Sequence, residues 1–321
     1  TAWRAFHVNT LYFAGIPQGG VLIACIFTIV GARWPGPVRR IAESLGAWVP
    51  VTFVLSVIGF LGREYIYPWI GHPPAGKEAW LTLPRLYATD WGTFALLTVL
   101  SVLFLRASLR PTLKAAEGEV SGFAKGLLGS VTAGWRGDEA EREASARRTR
   151  VLAPIICLLY AFGGSMIAFD QVMSLTPTWF SNLFGAYYAW GGFLCAVSVT
   201  ALLTVLHRNY PGLEGEMSKD RLHDLGKMIF AFSIFWMYLF FSQYLVIWYG
   251  NLPEETQFFG ARLGTEFLKD TWYFDGWWDR VSGEPWVKVT LFGWICIWLI
   301  PFWCLFGQRP KQTGWFLASI A

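Results

Sequence analysis

A single carboxylate, Asp170, stands in an apolar stretch from residue 151 to residue 206 that contains no other Asp, Glu, Lys or Arg. A turn centred on Pro177 follows it. An ionisable side chain inside a membrane is costly and indicates a functional site by default. At the end of a helix, a carboxylate also meets the negative end of the helix dipole. We therefore expect a basic partner, water or a proton to offset the charge of Asp170, or an interfacial position in which it bonds to the turn.

A second set of proton-capable side chains follows one face of a helix predicted near residues 224–250. At 100° per residue they fall within about 60° of one another. The set consists of Asp224, Lys227, Tyr238, Ser242 and Tyr249. It predicts a proton path with His223, Asp224 and Lys227 at the inner mouth and Asp170 at the outer end. The alternative is an ordinary i, i+3 ion pair between Asp224 and Lys227, with the tyrosines in bundle packing.

Four groups near the predicted outer ends of helices form a candidate quinone-binding set: His7, Tyr65, Asp90 and Asp170. The head of a quinol needs an acid, a base or an amide at the edge of the hydrocarbon region. Asp90 has a second interpretation, because it follows Thr89 at the predicted start of a helix, where Asp is a good N-cap.

Catalytic and metal-binding motifs are missing from the sequence, which contains no Walker loop, GxGxxG or HExxH pattern. We therefore assign no catalytic residue and no metal ligand. The five cysteines lie singly in apolar runs, so we expect no cofactor bound covalently by this chain.

The elements that must position these groups are apolar helices. Of the 321 residues, 54% are hydrophobic and 15% are charged, whereas soluble domains are about a quarter charged. A spanning helix needs roughly 20 apolar residues, and helices satisfy the backbone of such runs in lipid. We predict an all-α, polytopic integral membrane protein. The predicted spans are residues 8–30, 44–62, 86–105, 151–173, 180–206, 228–250 and 288–307, with an eighth from Gly314.

Lys and Arg are concentrated in alternate loops. The loops at residues 31–43, 106–150, 207–227 and 308–313 carry 18 of the 26 basic residues. The positive-inside rule places these loops in the cytoplasm and Asp170 near the outer surface. The formal net charge of +4 is too small to indicate a nucleic-acid partner.

The two halves of the chain resemble each other weakly. The segment AGIPQGGVLIA (14–24) matches AYYAWGGFLCA (186–196) at five of eleven positions. Four spans separate the two segments, so both should cross the membrane in the same direction. We predict two tandem four-helix transmembrane bundles with flanking helices, one in residues 1–173 (including the cytoplasmic loop 106–150) and one in residues 174–321. We also expect further helices beyond both ends of this sequence.

Two segments resemble a known family. The pattern Asp-x-x-Met-Ser-Leu-x-Pro-x-Trp-x-Ser at residues 170–181 resembles the membrane subunits of bacterial alternative complex III. The longer and more specific segment HDLGKMIFAFSIFWMYLFFSQYLVIWYGNLPEET lies at residues 223–256. It is similar to the second of the two polysulfide-reductase-like (NrfD-like) membrane proteins of that complex.

This resemblance implies a subunit of a respiratory or photosynthetic complex that oxidises quinol and passes electrons to cytochrome c or another acceptor. The implied partners are a second NrfD-like membrane subunit, an iron–sulfur subunit and multihaem or monohaem cytochrome c subunits. Those subunits would carry the iron–sulfur clusters and haem c. For this chain the resemblance implies scaffolding, proton passage, contact with lipids and with quinone or menaquinone, and several crossings of a bacterial inner (cytoplasmic) membrane.

Two other functions stay open at this point. The chain could be a catalytic, quinol-binding subunit of an NrfD-like oxidoreductase. It could also be a solute transporter, because transporters break helices near the midplane around a polar site, and Pro17 with Gln18, or Pro154, would permit such a break.

Overall fold

The computed structural model describes residues 2–118, 122–210, 213, 215–263 and 285–321. Within these ranges all regular structure is helical, which confirms the all-α prediction. The α-helices are α1 (Ala2–Ile29), α2 (Pro37–Leu45), α3 (Val49–Gly59), α4 (Arg63–Ile66), α5 (Leu83–Ala115), α6 (Phe123–Thr132), α7 (Asp138–Ile167), α8 (Phe184–Leu206), α9 (Lys219–Gly250), α10 (Pro253–Leu263), α11 (Pro285–Trp294), α12 (Ile300–Cys304), α13 (Gln308–Gln312) and α14 (Gly314–Ile320).

Seven helical segments in the described ranges are long and apolar enough to cross a membrane, as predicted, and they define a multi-pass membrane protein. Three of them join several elements. Helices α2 to α4 form the continuous span Pro37–Ile66, and α11 and α12 belong to the span Trp286–Cys304. The span Asp138–Leu175 consists of α7, a π-helical turn at Ala168–Val172 and a 3₁₀ turn at Met173–Leu175.

Local sequence signals set the ends of the longest helices. Helix α5 starts after the extended residue Thr82, with Pro84 in its first turn, where the missing N–H of proline costs nothing. At the start of α9, the Ser218 hydroxyl accepts a hydrogen bond of 3.3 Å from the backbone N–H of Arg221. Helix α9 ends at Gly250 and is followed by Asn251, whose left-handed conformation (φ 46°) closes the last turn. Helices α1 and α7 continue through Pro17 and Pro154 without a break. The unwound segments that a transporter would need are therefore not formed at these two prolines.

The spans pack as two groups. In the first group, α1, the α2–α4 span, α5 and α7 are neighbours in a ring. In the second group, α8 packs against α9 and α14, and α12 packs against α9 and α14. The division of the chain into two tandem bundles at residues 173 and 174 stays a prediction.

Helices α1 and α8 form the closest contact between the two groups, through small residues, and α2 and α7 also pack against α8. A Cβ atom added at Gly15 would lie 2.7 Å from the Cα of Gly192, and one added at Gly19 would lie 2.4 Å from the Cβ of Ala196. Since these pairs advance by four residues on both helices, α1 and α8 run in the same direction. Two tyrosines reinforce the contact: Tyr188 donates 3.0 Å to the Leu11 carbonyl, and Tyr160 donates 2.7 Å to the Ala189 carbonyl.

We expect Gly15→Ala to destabilise the protein, because the added methyl group would meet backbone atoms that cannot turn aside. Overpacking of this kind typically costs about 1–3 kcal/mol. The matched control is Gly92→Ala on α5, where an added Cβ would meet nothing within 4 Å. Thermal denaturation in detergent should show a lower midpoint for Gly15→Ala alone. Equal midpoints for the two variants would contradict close packing of α1 against α8.

Candidate functional site

Asp170 has a basic partner, Arg85 of α5. The two side chains form a bidentate ion pair, with N–O distances of 2.5 and 3.0 Å. The carboxylate is fully buried, and a buried ion pair is tolerated when its geometry satisfies both groups. Arg85 is itself held by Trp80, whose carbonyl accepts a 2.6 Å hydrogen bond and whose ring lies 3.9 Å from the guanidinium. Of the expected ways to offset the charge, the structure contains the basic partner.

Asp90 is not a helix N-cap, so that interpretation was wrong. Helix α5 begins at Leu83, which places Asp90 about 10 Å along the helix axis, in the interior of the first group. Its side chain is fully buried. One carboxyl oxygen accepts a hydrogen bond from the Gln171 amide, and the other, Oδ1, has no hydrogen-bond partner in the described part of the chain. Unlike Asp170, Asp90 therefore has an amide rather than a cation as its bonded partner.

Gln171 bonds to helices α1 and α5 and to Tyr67, the residue that follows α4. Its side-chain amide donates to Asp90, its side-chain oxygen accepts from the Tyr67 hydroxyl, and its backbone carbonyl is 2.8 Å from Nε2 of His7. The π-helical turn at Ala168–Val172 makes this possible, because it lets the consecutive residues Asp170 and Gln171 both lie buried in the first group. We call His7, Tyr67, Asp90, Gln171 and the Arg85–Asp170 pair the outer cluster.

Three of the four predicted quinone-binding residues thus come together, and the fourth does not. His7, Asp90 and Asp170 belong to the outer cluster, whereas Tyr65 is 59% exposed and its backbone carbonyl accepts a hydrogen bond from Arg4. Tyr67, two residues later, takes the buried position. Sequence reasoning missed Tyr67, Gln171 and Arg85.

A second buried polar group lies at the opposite, predicted cytoplasmic end of the first group. Glu43 is 1% exposed and lies 3.0 Å from Nε of Arg39 and 2.5 Å from Nη1 of Arg40. The Ser108 hydroxyl donates a 2.6 Å hydrogen bond to the same carboxylate, and Arg39 also donates 3.0 Å to the Thr28 hydroxyl. We call these residues the inner cluster. None of them was singled out from the sequence.

A third polar contact lies between the two clusters. The Gln18 amide of α1 is 3.2 Å from the Ser101 hydroxyl of α5, and both side chains are buried. A cavity of about 620 Å³ extends from this region to the contact between the two groups. Its lining is mostly apolar and includes the polar side chains of Gln18, Thr52 and Thr98 in the first group and of Ser198 and Ser319 in the second. A cavity of this volume is large enough for several waters, and its polar side chains offer them hydrogen-bond partners.

The three polar layers follow one face of each of two helices. On α1, one residue of each layer, His7, Gln18 and Thr28, falls within about 80° of helix rotation. On α5 the corresponding residues Asp90, Ser101 and Ser108 fall within about 20°. The spacing of 11 and then 7 residues on α5 is a sequence signal that would have identified this face.

The predicted stripe on α9 faces away from the interior of the chain. Tyr238 is 60% exposed and Tyr249 is 85% exposed. Asp224 and Lys227 form the i, i+3 ion pair of the alternative interpretation, at 2.6 Å, on a partly exposed surface. His223 is half-buried next to them, and Ser242 is half-buried higher on the helix. A proton path along this stripe stays a prediction, and it would run at the surface of the chain.

Within the described ranges, no group of three or more His, Cys, Asp or Glu side chains is placed to hold a metal ion. Comparison with protein-family models finds no match to this chain, and comparison with curated proteins finds none either. The fold and the buried groups define a multi-pass, helical membrane protein with buried ionisable side chains at both ends of its first helix group.

We expect Arg85→Gln to be strongly destabilising, because it leaves the buried Asp170 carboxylate without its cation. Breaking a buried pair in this way costs about 3–5 kcal/mol. The double variant Arg85→Gln, Asp170→Asn removes both charges and should recover most of the loss. Thermal denaturation of the single and double variants in detergent measures the coupling. Additive losses would show that the two side chains do not depend on each other.

Proposed function

We propose that this chain is a membrane subunit of an electron-transfer complex that oxidises quinol, and that it scaffolds the complex and conducts protons through its first helix group. The resemblance of residues 170–181 and 223–256 to membrane subunits of alternative complex III supports the first part. The observation that carries the second part is the alignment of three buried polar layers along α1 and α5. Buried ionisable residues in a membrane are expensive, and they commonly mark proton relays.

The two carboxyl groups of the outer cluster have different roles. Asp170 is held by the bidentate Arg85 pair, so it serves as a fixed charge that anchors α5 to the π-helical turn. Asp90 is fully buried, is bonded to a neutral amide and has one free oxygen among the described residues. Asp90 is therefore the group that takes up and releases a proton, and Gln171 holds it in register with Tyr67 and His7.

Water must complete the path between the layers. On α5, Asp90 and Ser101 are about 16 Å apart along the helix axis, which is too far for a direct hydrogen bond. The cavity beside Gln18, Thr52 and Thr98 provides room for waters in this interval. The inner cluster, with Glu43 and Ser108 at the predicted cytoplasmic end, forms the entrance.

We expect Asp90→Asn to lower the number of protons translocated per electron, because the amide cannot take part in proton transfer. The measurement uses the purified complex in proteoliposomes, with external pH and electron transfer recorded together. The matched control is Glu64→Gln, a carboxylate whose side chain is 71% exposed. A parallel Asp224→Asn variant tests the stripe on α9. If Asp90→Asn leaves the number of protons per electron unchanged, or if Asp224→Asn lowers it instead, the proton path does not run through the first group.

A second candidate function, quinol binding by this chain, is favoured by the free polar atoms at the outer end. Asp90 Oδ1 and the indole nitrogen of Trp69 are both buried and have no hydrogen-bond partner in the described part of the chain. A quinol hydroxyl can donate to such an acceptor and can accept from such a donor, because a hydroxyl group does both.

If the outer cluster binds quinol, we expect His7→Ala to abolish inhibitor-sensitive quinone binding to the purified complex, since His7 fixes the Gln171 backbone beside Asp90. Glu64→Gln serves again as the control. Equilibrium titration with a quinone analogue checks this. Retained affinity in His7→Ala would exclude a quinol site built on the outer cluster.

A further inference from the structure

Two neighbouring helices of the first group present apolar stripes to the outside of the chain. Helices α5 and α7 pack together along their length. Their outward residues are 44–73% exposed and recur at helical spacing, so each set lies on one side of its helix. The faces consist of Leu96, Val99, Val102 and Leu103 on α5, and Val151, Ile155, Leu158 and Phe162 on α7. In a membrane these faces meet lipid chains or another apolar helix.

Both stripes end in exposed arginines at the predicted cytoplasmic surface. Arg106 continues the stripe of α5 one turn beyond Val102 and Leu103, and Arg147 and Arg148 continue the stripe of α7 one turn before Val151. None of these three arginines has an ion-pair partner among the residues that the structure describes. Arg39, Arg40 and Arg110, in contrast, are paired with Glu43 and Glu141.

The three unpaired arginines lie at one height in the membrane. The Ser145 hydroxyl of α7 donates a 2.6 Å hydrogen bond to the Ala107 carbonyl of α5, which sets these antiparallel helices level at this point. Packed helices have axes about 8–10 Å apart. Arg106 on α5 is therefore at about the same height as Arg147 and Arg148 on α7, one helix spacing away.

The carboxylates of this region are farther from the apolar stripes. On α7, Asp138, Glu139 and Glu143 precede Val151 by about 12–20 Å along the helix axis. Glu141 is already paired with Arg110. The surface next to the stripes is therefore positive, although Glu143 lies one turn before Arg147 without forming an ion pair with it in the described part of the chain. Guanidinium groups match the geometry of phosphate.

We propose that this patch is a binding site for an anionic phospholipid. Arg106, Arg147 and Arg148 bind the phosphate headgroup, and the acyl chains lie along the apolar stripes of α5 and α7. Basic pockets between transmembrane helices on the cytoplasmic side favour anionic headgroups for the same reason. This site is independent of the proton path and of the quinol chemistry proposed above.

The test compares two lipids with identical chains, dioleoylphosphatidylglycerol and dioleoylphosphatidylcholine, titrated onto the purified complex and counted by native mass spectrometry. We expect the first phosphatidylglycerol to bind at least about tenfold more tightly than phosphatidylcholine. The triple variant Arg106→Gln, Arg147→Gln, Arg148→Gln should reduce this ratio to about one.

The matched control is Arg142→Gln, which removes an exposed arginine of α7 that lies about 120–140° around the helix from Arg147 and Arg148. This control should preserve the preference for phosphatidylglycerol. An unchanged affinity ratio in the triple variant would overturn the proposal. An equal loss of the ratio in the control would show general charge attraction rather than a site, and would also overturn it. If the triple variant instead loses an acidic partner chain and keeps its lipid preference, the arginines contact protein and the proposal is wrong.

Discussion

The cost of a charge in the hydrocarbon region constrains the rest of this structure. A buried carboxylate persists only with a cation or several strong donors around it. Asp170 has Arg85, and Glu43 has Arg39, Arg40 and Ser108, so each joins two spans at one end of the first helix group. Asp90 is the exception, since its bonded partner is the neutral amide of Gln171. A carboxyl group without a bonded cation responds most readily to a change in its surroundings, which makes Asp90 the centre of the proposed chemistry.

Helix α1 connects this chemistry to the second helix group. One of its faces carries His7, Gln18 and Thr28 toward the first group. Another carries Gly15 and Gly19, against which α8 packs closely enough to bring backbones into contact. Small residues at helix contacts allow this approach in membranes, where no hydrophobic force drives the helices together. A change in the outer cluster that moved α1 would therefore also displace α8 in the second group.

Hydropathy was sufficient to predict the seven spans, because runs of about 20 apolar residues have few alternatives in lipid. It was not sufficient to predict the site. The start of α5 was placed too late, because Thr82 and Pro84 were not recognised as its beginning, and Asp90 was consequently interpreted as a cap. Tyr67 and Gln171 carry no charge, so nothing in the sequence distinguished them until the fold brought them to Asp90. Spacing on α9 correctly grouped Asp224, Lys227 and Tyr238 on one face, but spacing alone does not tell which way a face points.

We propose that Asp90 changes its protonation state when electrons pass through the complex. Infrared difference spectroscopy of the oxidised and reduced complex, recorded for the native protein and for Asp90→Asn, tests it most directly. We predict a carboxyl C=O band in the native difference spectrum that shifts in deuterium oxide and disappears in the variant. A native spectrum without such a band, or one that the variant leaves unchanged, would show that Asp90 keeps a fixed protonation state and would contradict the claim.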